Sequence, residues 1–258
     1  MKIKILTLFP EMFDGFLTKS IIKRAIAKGA VEIEIINIRD YTKDKYGRVD
    51  SAPVGGGAGL IMKCQPILDC LKANSNKDSY KILLSPRGEQ YSQQKAHFLA
   101  QKSEIIILCG HYEGIDERVN SSFDEMISIG DYILTGGEIA SMAISDSIIR
   151  LLDGAIAEES IVEETFENGL LEYPQYTEPS NYEGQKIPDI LYSGNHQAIQ
   201  KWRQKKSLEL TKKYRKDLFD KYPLTKQDKK LLAELESNEQ PNWEKIAIEK
   251  GSKFIKKD

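Results

Sequence analysis

The sequence predicts an α/β protein in which a parallel sheet is covered by helices on both faces. Two observations support this fold class. Short apolar runs typical of strands alternate along the chain with longer amphipathic segments typical of helices. The runs near the middle of the chain are almost continuous Ile and Leu, which is the pattern of strands buried on both faces.

The first part of the chain begins with a predicted strand, Lys2–Leu8, in which apolar residues alternate with lysines. The amphipathic segment Glu11–Lys28 predicts a helix that ends at Gly29, because glycine readily adopts the left-handed conformation after a helix. A second strand is predicted at Val31–Ile38. Residues 41–59 are poor in apolar side chains and end in a glycine cluster, so we expect a long loop, and such loops are usually functional.

The alternation continues in the next part of the chain. Turn residues separate the apolar runs, and the last helix has its apolar residues spaced as on one helical face. Helices are predicted at Gln65–Lys72, Ser92–Gln101 and Glu138–Leu152, and strands at Lys81–Ser85, Glu104–Cys109 and Met126–Ile129.

Composition excludes several classes of protein. The 258 residues are 40% hydrophobic and 29% charged, which suits one large domain and a smaller one. Cys64, Cys70 and Cys109 form neither a disulfide framework nor a C-x-x-C zinc motif, so we expect a reduced, cytoplasmic environment. No apolar run reaches about 18 residues, and no signal-peptide cleavage site is evident, so no membrane association is expected.

Charge divides the chain into three parts. Residues 1–152 carry nineteen basic and nineteen acidic side chains, residues 153–189 carry one and ten, and residues 195–258 carry seventeen and ten. A near-neutral body is therefore followed by an acidic connector and a basic C-terminal module. We predict a first domain at 1–157, an acidic flexible linker at 158–175 and a small all-helical domain at 176–258.

The basic module opens with a predicted helix at Asn195–Tyr222 that mixes cations with Trp202 and Tyr214. This composition favours contacts with nucleic-acid phosphates and stacking on bases. A solvated lysine-rich surface is the alternative interpretation. The cations are Lys201, Arg203, Lys205, Lys206, Lys212, Lys213, Arg215 and Lys216.

Two predicted strands end in glycine-containing turns, at 110–114 and at 128–137. Glycine allows main chain to approach a ligand closely, and open α/β sheets bind ligands beyond the carboxyl ends of their strands. The cluster at 55–59 does not fit G-x-G-x-x-G, and no phosphate-binding G-x-x-x-x-G-K-[ST] motif is present. The sequence therefore predicts a small-molecule pocket formed largely by backbone.

These motifs resemble those of the bacterial tRNA (guanine-N1)-methyltransferases, which modify the guanosine at position 37, just after the anticodon. The resemblance is carried by CGHYEGIDERV and SIGDYILTGGE, and by KILTLFPEMF, PVGGGAGLIMKCQP, LLSPRGEQYSQ, NGLLEYPQYTEP and LYSGNHQAIQKWRQKKSL in the order of that family. It covers nearly the whole chain and fades after about Lys230. It implies a knotted SPOUT-type domain with a deep C-terminal trefoil knot, a homodimer, tRNA as substrate, S-adenosylmethionine as methyl donor and a dependence on Mg²⁺.

The glycine-containing turns and the resemblance together give the candidate binding residues. For the methyl donor these are Leu84, Ser85, Pro86, Gly110, Tyr112, Glu113, Gly114, Ser128, Ile129, Gly130, Asp131, Tyr132, Ile133, Leu134, Gly136 and Gly137. For tRNA they are Glu172, Ser193, Gly194, Asn195, His196, Trp202 and Arg203. The three histidines form no metal-binding motif, so no metal ligand is assigned from the sequence.

Methylation of guanine N1 requires a base for the N1 proton and a positive group near O6. The resemblance implies Arg150 for the second role. For the base, the family has Glu-Asp-Ser-Phe where this chain has Glu163-Glu164-Thr165-Phe166, so the aspartate is replaced by Glu164. The linker is also one residue shorter, and our hypothesis is that the longer side chain compensates for the shorter loop. A purely solvated acidic linker is the alternative.

Two other functions stay open at this point. A knotted methyltransferase could act on another RNA position. The change from aspartate to Glu164 could also leave a protein that binds methyl donor and RNA with weak turnover.

Overall fold

The computed structural model describes residues 1–156, 165–237 and 239–251. The chain forms two compact units, Met1–Glu158 and Glu159–Asp258. No helix among the described residues is long and apolar enough to cross a membrane.

The first unit is built on a five-stranded sheet. Its strands, with two short ones, are β1 (Lys2–Thr7), β2 (Glu32–Asn37), β3 (Asp50–Ser51), β4 (Ile61–Met62), β5 (Ser79–Gln90), β6 (Glu104–Leu108) and β7 (Glu125–Ser128). The order in the sheet is β2-β1-β6-β5-β7 and every pair is parallel, which confirms the predicted sheet. Strands β3 and β4 form a separate antiparallel pair.

Helices cover both faces of this sheet. They are α1 (Asp14–Thr18), α2 (Ser20–Ala27), α3 (Cys64–Asn74), α4 (Gln93–Ala100) and α5 (Glu138–Ile149). In β6, Ile105 and Ile107 belong to the core that includes α5, whereas Ile106 and Leu108 belong to the core that includes α3. Because successive side chains of a strand point to opposite faces, the continuous apolar run is explained by burial on both sides.

The single helix predicted at Glu11–Lys28 is wrong. A short 3₁₀ turn and α1 are separated from α2 at Lys19, which is extended, and Ser20 has a positive φ of 52°. Phe13 and Ile22 are both buried in the same core. Nine residues of continuous helix would place them on opposite faces, so the break allows both side chains to reach the core.

Strand β5 is longer than the predicted Lys81–Ser85 and contains an irregularity. Its pairing with β7 shifts register between Leu84 and Glu89. Gly88 lies so close to β7 that an added Cβ would be 2.5 Å from the backbone nitrogen of Ile127. The irregular segment therefore holds residues 85–87 at the edge where the predicted pocket should lie.

The second unit contains a hairpin and helices. They are β8 (Asn181–Tyr182), β9 (Gln185–Lys186), α6 (His196–Tyr214), α7 (Lys216–Phe219), α8 (Lys226–Glu236) and α9 (Asn242–Gly251). The domain was predicted to be all-helical, and the hairpin corrects this. Glu183 and Gly184 both have positive φ, as a two-residue turn of this kind requires. The predicted helix through Tyr222 ends at Tyr214, because Arg215 leaves the helical conformation before α7.

Part of the predicted linker packs within the second unit. Leu170 is buried with Leu208 and Leu231. The backbone nitrogen of Leu171 donates to Oγ1 of Thr211 at 2.8 Å. Residues 157–164, which include the acidic centre of that segment, lie outside the described residues.

Candidate active site

A cleft of about 690 Å³ opens beyond the carboxyl ends of β5, β6 and β7. This volume is within the range of small-molecule sites. Fifteen of the sixteen predicted donor-binding residues line the cleft, and Asp131, which is exposed, does not. The structure therefore brings three separate loops together, as the sequence predicted. That these residues bind the methyl donor stays a prediction.

Sequence reasoning missed several residues of the lining. Some are apolar strand residues that belong to the walls, and others are polar residues adjacent to predicted ones. They are Leu83, Arg87, Ile115, Glu117, Asn120, Ile127 and Ala140. His111 and Thr135 also line the cleft and lie within the predicted turns 110–114 and 128–137. Arg87 directly follows Pro86, so proximity in the sequence was the available signal for it.

The cleft floor depends on a close approach of main chain at Gly137. Its backbone nitrogen donates to the carbonyl of Gly110 at 2.8 Å, and an antiparallel bridge pairs His111 with Gly136. A Cβ added to Gly137 would lie 2.7 Å from the Cα of Cys109. The two glycine loops can touch in this way only because no side chain separates them.

A buried carboxylate supports this floor. Glu138, which is 2% exposed, accepts a hydrogen bond from Oγ1 of Thr7 at 2.8 Å. The Thr7 hydroxyl in turn accepts from the backbone nitrogen of Phe9. Burial raises the pKa of the Cys109 thiol, so this cysteine is a packing residue and not a nucleophile.

Tyr112 has an unusual conformation at the rim of the cleft. Its φ is 60°, in the left-handed region that non-glycine residues seldom occupy. Desolvation, followed by the hydrogen bond with Asp50, raises the pKa of its hydroxyl. Next to it, the Glu113 side chain lies over Gly59, where an added Cβ would be 2.3 Å from Cγ of Glu113. The glycine-rich loop is therefore adjacent to the cleft.

The predicted loop at 41–59 also presents an aromatic ring with cations. Tyr46 is 71% exposed, and the Nζ of Lys45 and the Cζ of Arg48 lie 4.8 and 5.4 Å from its ring centre. Asp44 fixes the turn by accepting from the backbone nitrogen of Tyr46 at 2.8 Å and by pairing with Arg48 at 3.1 Å. The first unit thus has a small basic and aromatic surface of its own, which we call the Tyr46 loop (residues 43–48).

Arg150 does not lie at the cleft of its own chain. Gly137 is the N-cap of α5 at the cleft, and Arg150 is the C-cap at the other end. Thirteen residues of helix at 1.5 Å each separate these positions by about 20 Å. The other predicted catalytic residue, Glu164, lies outside the described residues.

A small cavity in the second unit contains two of the predicted tRNA-binding residues. It has a volume of about 140 Å³, and Glu172 and Arg203 line it together with Tyr173 and other residues. The guanidinium of Arg203 lies 4.6 Å from the ring centre of Tyr173. These two residues are therefore brought together on one polar surface.

The other predicted tRNA-binding residues form the start of α6. Asn195 is the N-cap and accepts from the backbone nitrogen of Ala198, while Ser193 accepts from that of Asn195. Gly194 has a positive φ of 66°, and His196 is the first helical residue. Ser193, Gly194 and Asn195 thus form the capping turn at the start of α6.

Trp202 corrects the expectation of base stacking on α6. It is 4% exposed and packs with Ile190, Ala198 and Ala247. The ring is therefore not accessible for stacking on RNA and serves as a core residue of the second unit. Tyr214 remains 62% exposed.

Many cations of α6 have acidic partners within the unit. Lys201 and Lys205 approach Glu234 at 3.6 and 3.7 Å. Two further pairs on α6 are Lys206 with Glu209 and Lys212 with Glu236. Just beyond its end, Arg215 pairs with Asp217 and Lys216 with Asp220. Pairing reduces the positive potential that composition alone suggested.

The described residues contain no group of three or more His, Cys, Asp or Glu side chains placed to hold a metal ion. The parallel sheet and the cleft at its carboxyl edge, where two glycine-containing loops meet, are the architecture of an α/β enzyme with a small-molecule site. Comparison with known proteins gives the family.

A family model described as tRNA (Guanine-1)-methyltransferase TrmD matches residues 1–221. Proteins named tRNA (guanine-N(1)-)-methyltransferase from Clostridium acetobutylicum and Clostridium botulinum are 54% identical over 234 residues, 90% of this chain and 96% and 97% of theirs. One from Clostridium perfringens is 52% identical, with 99% of its length covered. The chain belongs to the tRNA (guanine-1)-methyltransferase family.

Proposed function

We propose that this enzyme transfers the methyl group of S-adenosylmethionine to N1 of the guanosine at position 37 of tRNA. The observation that carries the proposal is the cleft, in which loops predicted from the family motifs meet in a chain of that family. Main-chain groups of glycine-rich loops suit an adenosine and a sulfonium, which lack the phosphates that a cation-rich site would bind. Because the substrate is tRNA, we place the enzyme in the cytoplasm.

The chemistry requires removal of the N1 proton as the methyl group arrives. Glu164 is proposed as the general base, and it contributes by accepting that proton. Arg150 is proposed to stabilise the negative charge that develops on O6. The cleft holds the methyl donor so that its methyl group faces the base.

A trefoil knot is part of the proposal for the first unit. After β7, residues 129–137 return to contact the end of β6, although β5 lies between these strands in the sheet. The contact of Gly137 with Gly110 is the point where the two segments meet. Such a crossing is expected where one segment threads through a loop formed by another.

A homodimer would complete the site. Arg150 is about 20 Å along α5 from Gly137 and about 15 Å from Ala140, the last residue of this helix in the cleft lining. We therefore propose that it acts in the cleft of a second copy. Ile139, Ala143, Asp146 and Arg150 follow one another at helical spacing along one stripe of α5, and Ile139 is 53% exposed. Antiparallel packing of two α5 helices through this stripe would place each Arg150 beside the N-terminal end of the partner helix, where the cleft lies.

The tRNA would be bound by several surfaces. The Tyr46 loop offers stacking and phosphate contacts on the first unit, and the cavity with Glu172 and Arg203 offers polar groups on the second.

Mg²⁺ usually needs only one or two protein carboxylates. Glu113 is a carboxylate in the cleft that could hold the ion, which would supply positive charge near the reacting base.

The test uses the full-length protein with labelled S-adenosylmethionine and unmodified tRNA that has G at positions 36 and 37. We expect one methyl group per tRNA and a primer-extension stop at position 37. A tRNA with A at position 37 is the matched control and should not be labelled. A stop elsewhere would indicate another RNA position, and donor binding by calorimetry without transfer would indicate a binding protein.

A further inference from the structure

Charged side chains are few in the cleft. Three of the described lining residues have an Asp, Glu, Lys or Arg side chain, and they are Arg87, Glu113 and Glu117. The rest of the lining is apolar, glycine or neutral polar. Arg87 and Glu117 have no role in the reaction described above.

Arg87 and Glu117 form a pair across the cleft wall. The Nη2 of Arg87 lies 2.9 Å from Oε2 of Glu117, and Nη1 donates to Oε1 at 3.4 Å. Asn120 also donates to Oε1 of Glu117, at 2.7 Å. Hydrogen bonding by Arg87 lowers the pKa of the Glu117 carboxyl, which is therefore ionised at neutral pH. The pair joins the loop that follows Leu84 to the loop that follows Gly110.

The ion pair between Arg87 and Glu117 contributes little to the stability of the fold and can therefore be broken when a ligand binds. The side chains of Arg87 and Glu117 are 61% and 71% exposed, and ion pairs with such exposure contribute little to folding. The guanidinium of Arg87 and the carboxylate of Glu117 can therefore exchange this contact for contacts with a ligand at a small cost in free energy. A ligand that carries a positive and a negative group close together could bind Glu117 with the first and Arg87 with the second.

The methyl donor carries such a pair of groups at its amino-acid end. Taking this donor as the ligand rests on the proposed function. S-adenosylmethionine carries a sulfonium, an ammonium and a carboxylate, two positive charges and one negative. The cleft lining carries the complementary set, two carboxylates and one guanidinium. Guanidinium and carboxylate groups also match in shape, since they form paired hydrogen bonds.

We propose that Arg87 and Glu117 bind the amino-acid end of the methyl donor. The Arg87 guanidinium binds the donor carboxylate, and Glu117, held by Asn120, accepts from the donor ammonium. This leaves Glu113 as the remaining negative charge in the cleft, available to the sulfonium or to a metal ion. The pair thus distinguishes the intact donor from adenosine derivatives that lack the amino-acid end.

Calorimetric titration of full-length variants tests this assignment. The ligands are S-adenosylmethionine, its decarboxylated form, which keeps the ammonium, and 5′-methylthioadenosine, which lacks the whole amino-acid end. Arg87→Gln should weaken S-adenosylmethionine by roughly 10- to 100-fold, the usual effect of losing a hydrogen bond to a charged group, and should leave the other two ligands unchanged. Glu117→Gln should lower the affinity for S-adenosylmethionine and for its decarboxylated form, and should leave the affinity for 5′-methylthioadenosine unchanged.

Arg118→Gln is the matched control. Arg118, which is 77% exposed, forms a surface ion pair with Asp116 at 2.7 Å but does not line the cleft. It should change none of the three affinities. Unchanged S-adenosylmethionine affinity in Arg87→Gln, or equal losses for all three ligands, would overturn the assignment. Failure of the wild-type protein to bind S-adenosylmethionine at all would instead refute the proposed function.

Discussion

Gly137 shows how one residue can determine the shape of the cleft. The residue has an ordinary negative φ, so conformational freedom is not the reason for glycine here. The reason is space, because a Cβ would lie 2.7 Å from the Cα of Cys109 and 3.0 Å from the nitrogen of Gly110. The two loops would have to separate to accept any side chain.

Gly137→Ala is therefore expected to lower both stability and donor affinity. Overpacking of this kind costs about 1–3 kcal/mol, and the free energy of unfolding should fall by that amount in chemical denaturation. Calorimetry should show weaker binding of S-adenosylmethionine. Gly15→Ala is the control, since nothing lies within 4 Å of its added Cβ. It should leave donor affinity unchanged and, because Gly15 lies in α1, should not lower the free energy of unfolding. Wild-type stability in Gly137→Ala would contradict the contact.

Glu164→Gln is expected to slow methyl transfer by about 100-fold or more, the usual contribution of a general base. Single-turnover rates at saturating tRNA measure the effect, and tRNA affinity should be retained. Glu164→Asp restores the residue of the family but shortens the side chain in a linker that is itself one residue shorter. If the two changes compensate, this variant is also slower than wild type, and a faster Asp variant would disprove the compensation.

At the scale of elements, the Tyr46 loop is an ordered surface. The backbone nitrogen of Lys43 donates to Oε1 of Gln65 on α3 at 3.2 Å, which fixes the base of the loop. Hydrogen bonding by Arg48 lowers the pKa of Asp44 to about 2. A lowered folded pKa means that the stabilisation is present above about pH 4 and is lost as the pH falls toward 2. The loop is therefore held in place at neutral pH.

Tyr46→Ala is expected to weaken tRNA binding. Stacking of a base on an aromatic ring contributes about 1–3 kcal/mol, which corresponds to roughly 5- to 150-fold in affinity. The dissociation constant of the tRNA complex should rise accordingly, whereas that of the S-adenosylmethionine complex should not change. Tyr46→Phe keeps the ring and should bind tRNA as the wild type does. Equal tRNA affinity in Tyr46→Ala would remove this loop from the proposed interface.

The sequence predicted secondary-structure elements correctly where their conformation depends on neighbouring residues in the chain. The run of isoleucines in β6 and the glycine turns after it indicated the sheet and the cleft, because strand alternation and close backbone approach are local properties. The break between Phe13 and Ile22 and the burial of Trp202 were missed. Both depend on distant partners, and for Trp202 one of these is Ala247 on α9. Arg87 was missed for a related reason, since its partner Glu117 lies thirty residues away.

At the scale of the whole molecule, the position of Arg150 makes the proposed dimer testable. Helix α5 begins at the cleft with Gly137 and ends at Arg150, about 20 Å away. Each site of the dimer would therefore combine one cleft with the Arg150 of the partner. The stripe of α5 that carries Ile139 would lie at the centre of the interface.

Mixing two inactive variants is expected to restore activity. Arg150→Ala keeps its cleft, and Gly137→Val loses its cleft but keeps Arg150. After exchange of subunits, about one quarter of the sites would pair an intact cleft with an intact Arg150. Methyl transfer by the mixture should approach that fraction of wild type. If the mixture stays as inactive as its components, Arg150 does not act across two copies.

Because glycine-containing turns form part of the cleft lining, some of the groups that would contact a ligand there are main-chain groups, which a change of side chain leaves in place. The hydrogen bond from the Gly137 nitrogen to the Gly110 carbonyl, which holds two of these turns together, is made by main chain alone, and Gly137 has no room for a side chain. An inhibitor designed against main-chain groups of these turns would leave the organism few single codon changes by which to become resistant.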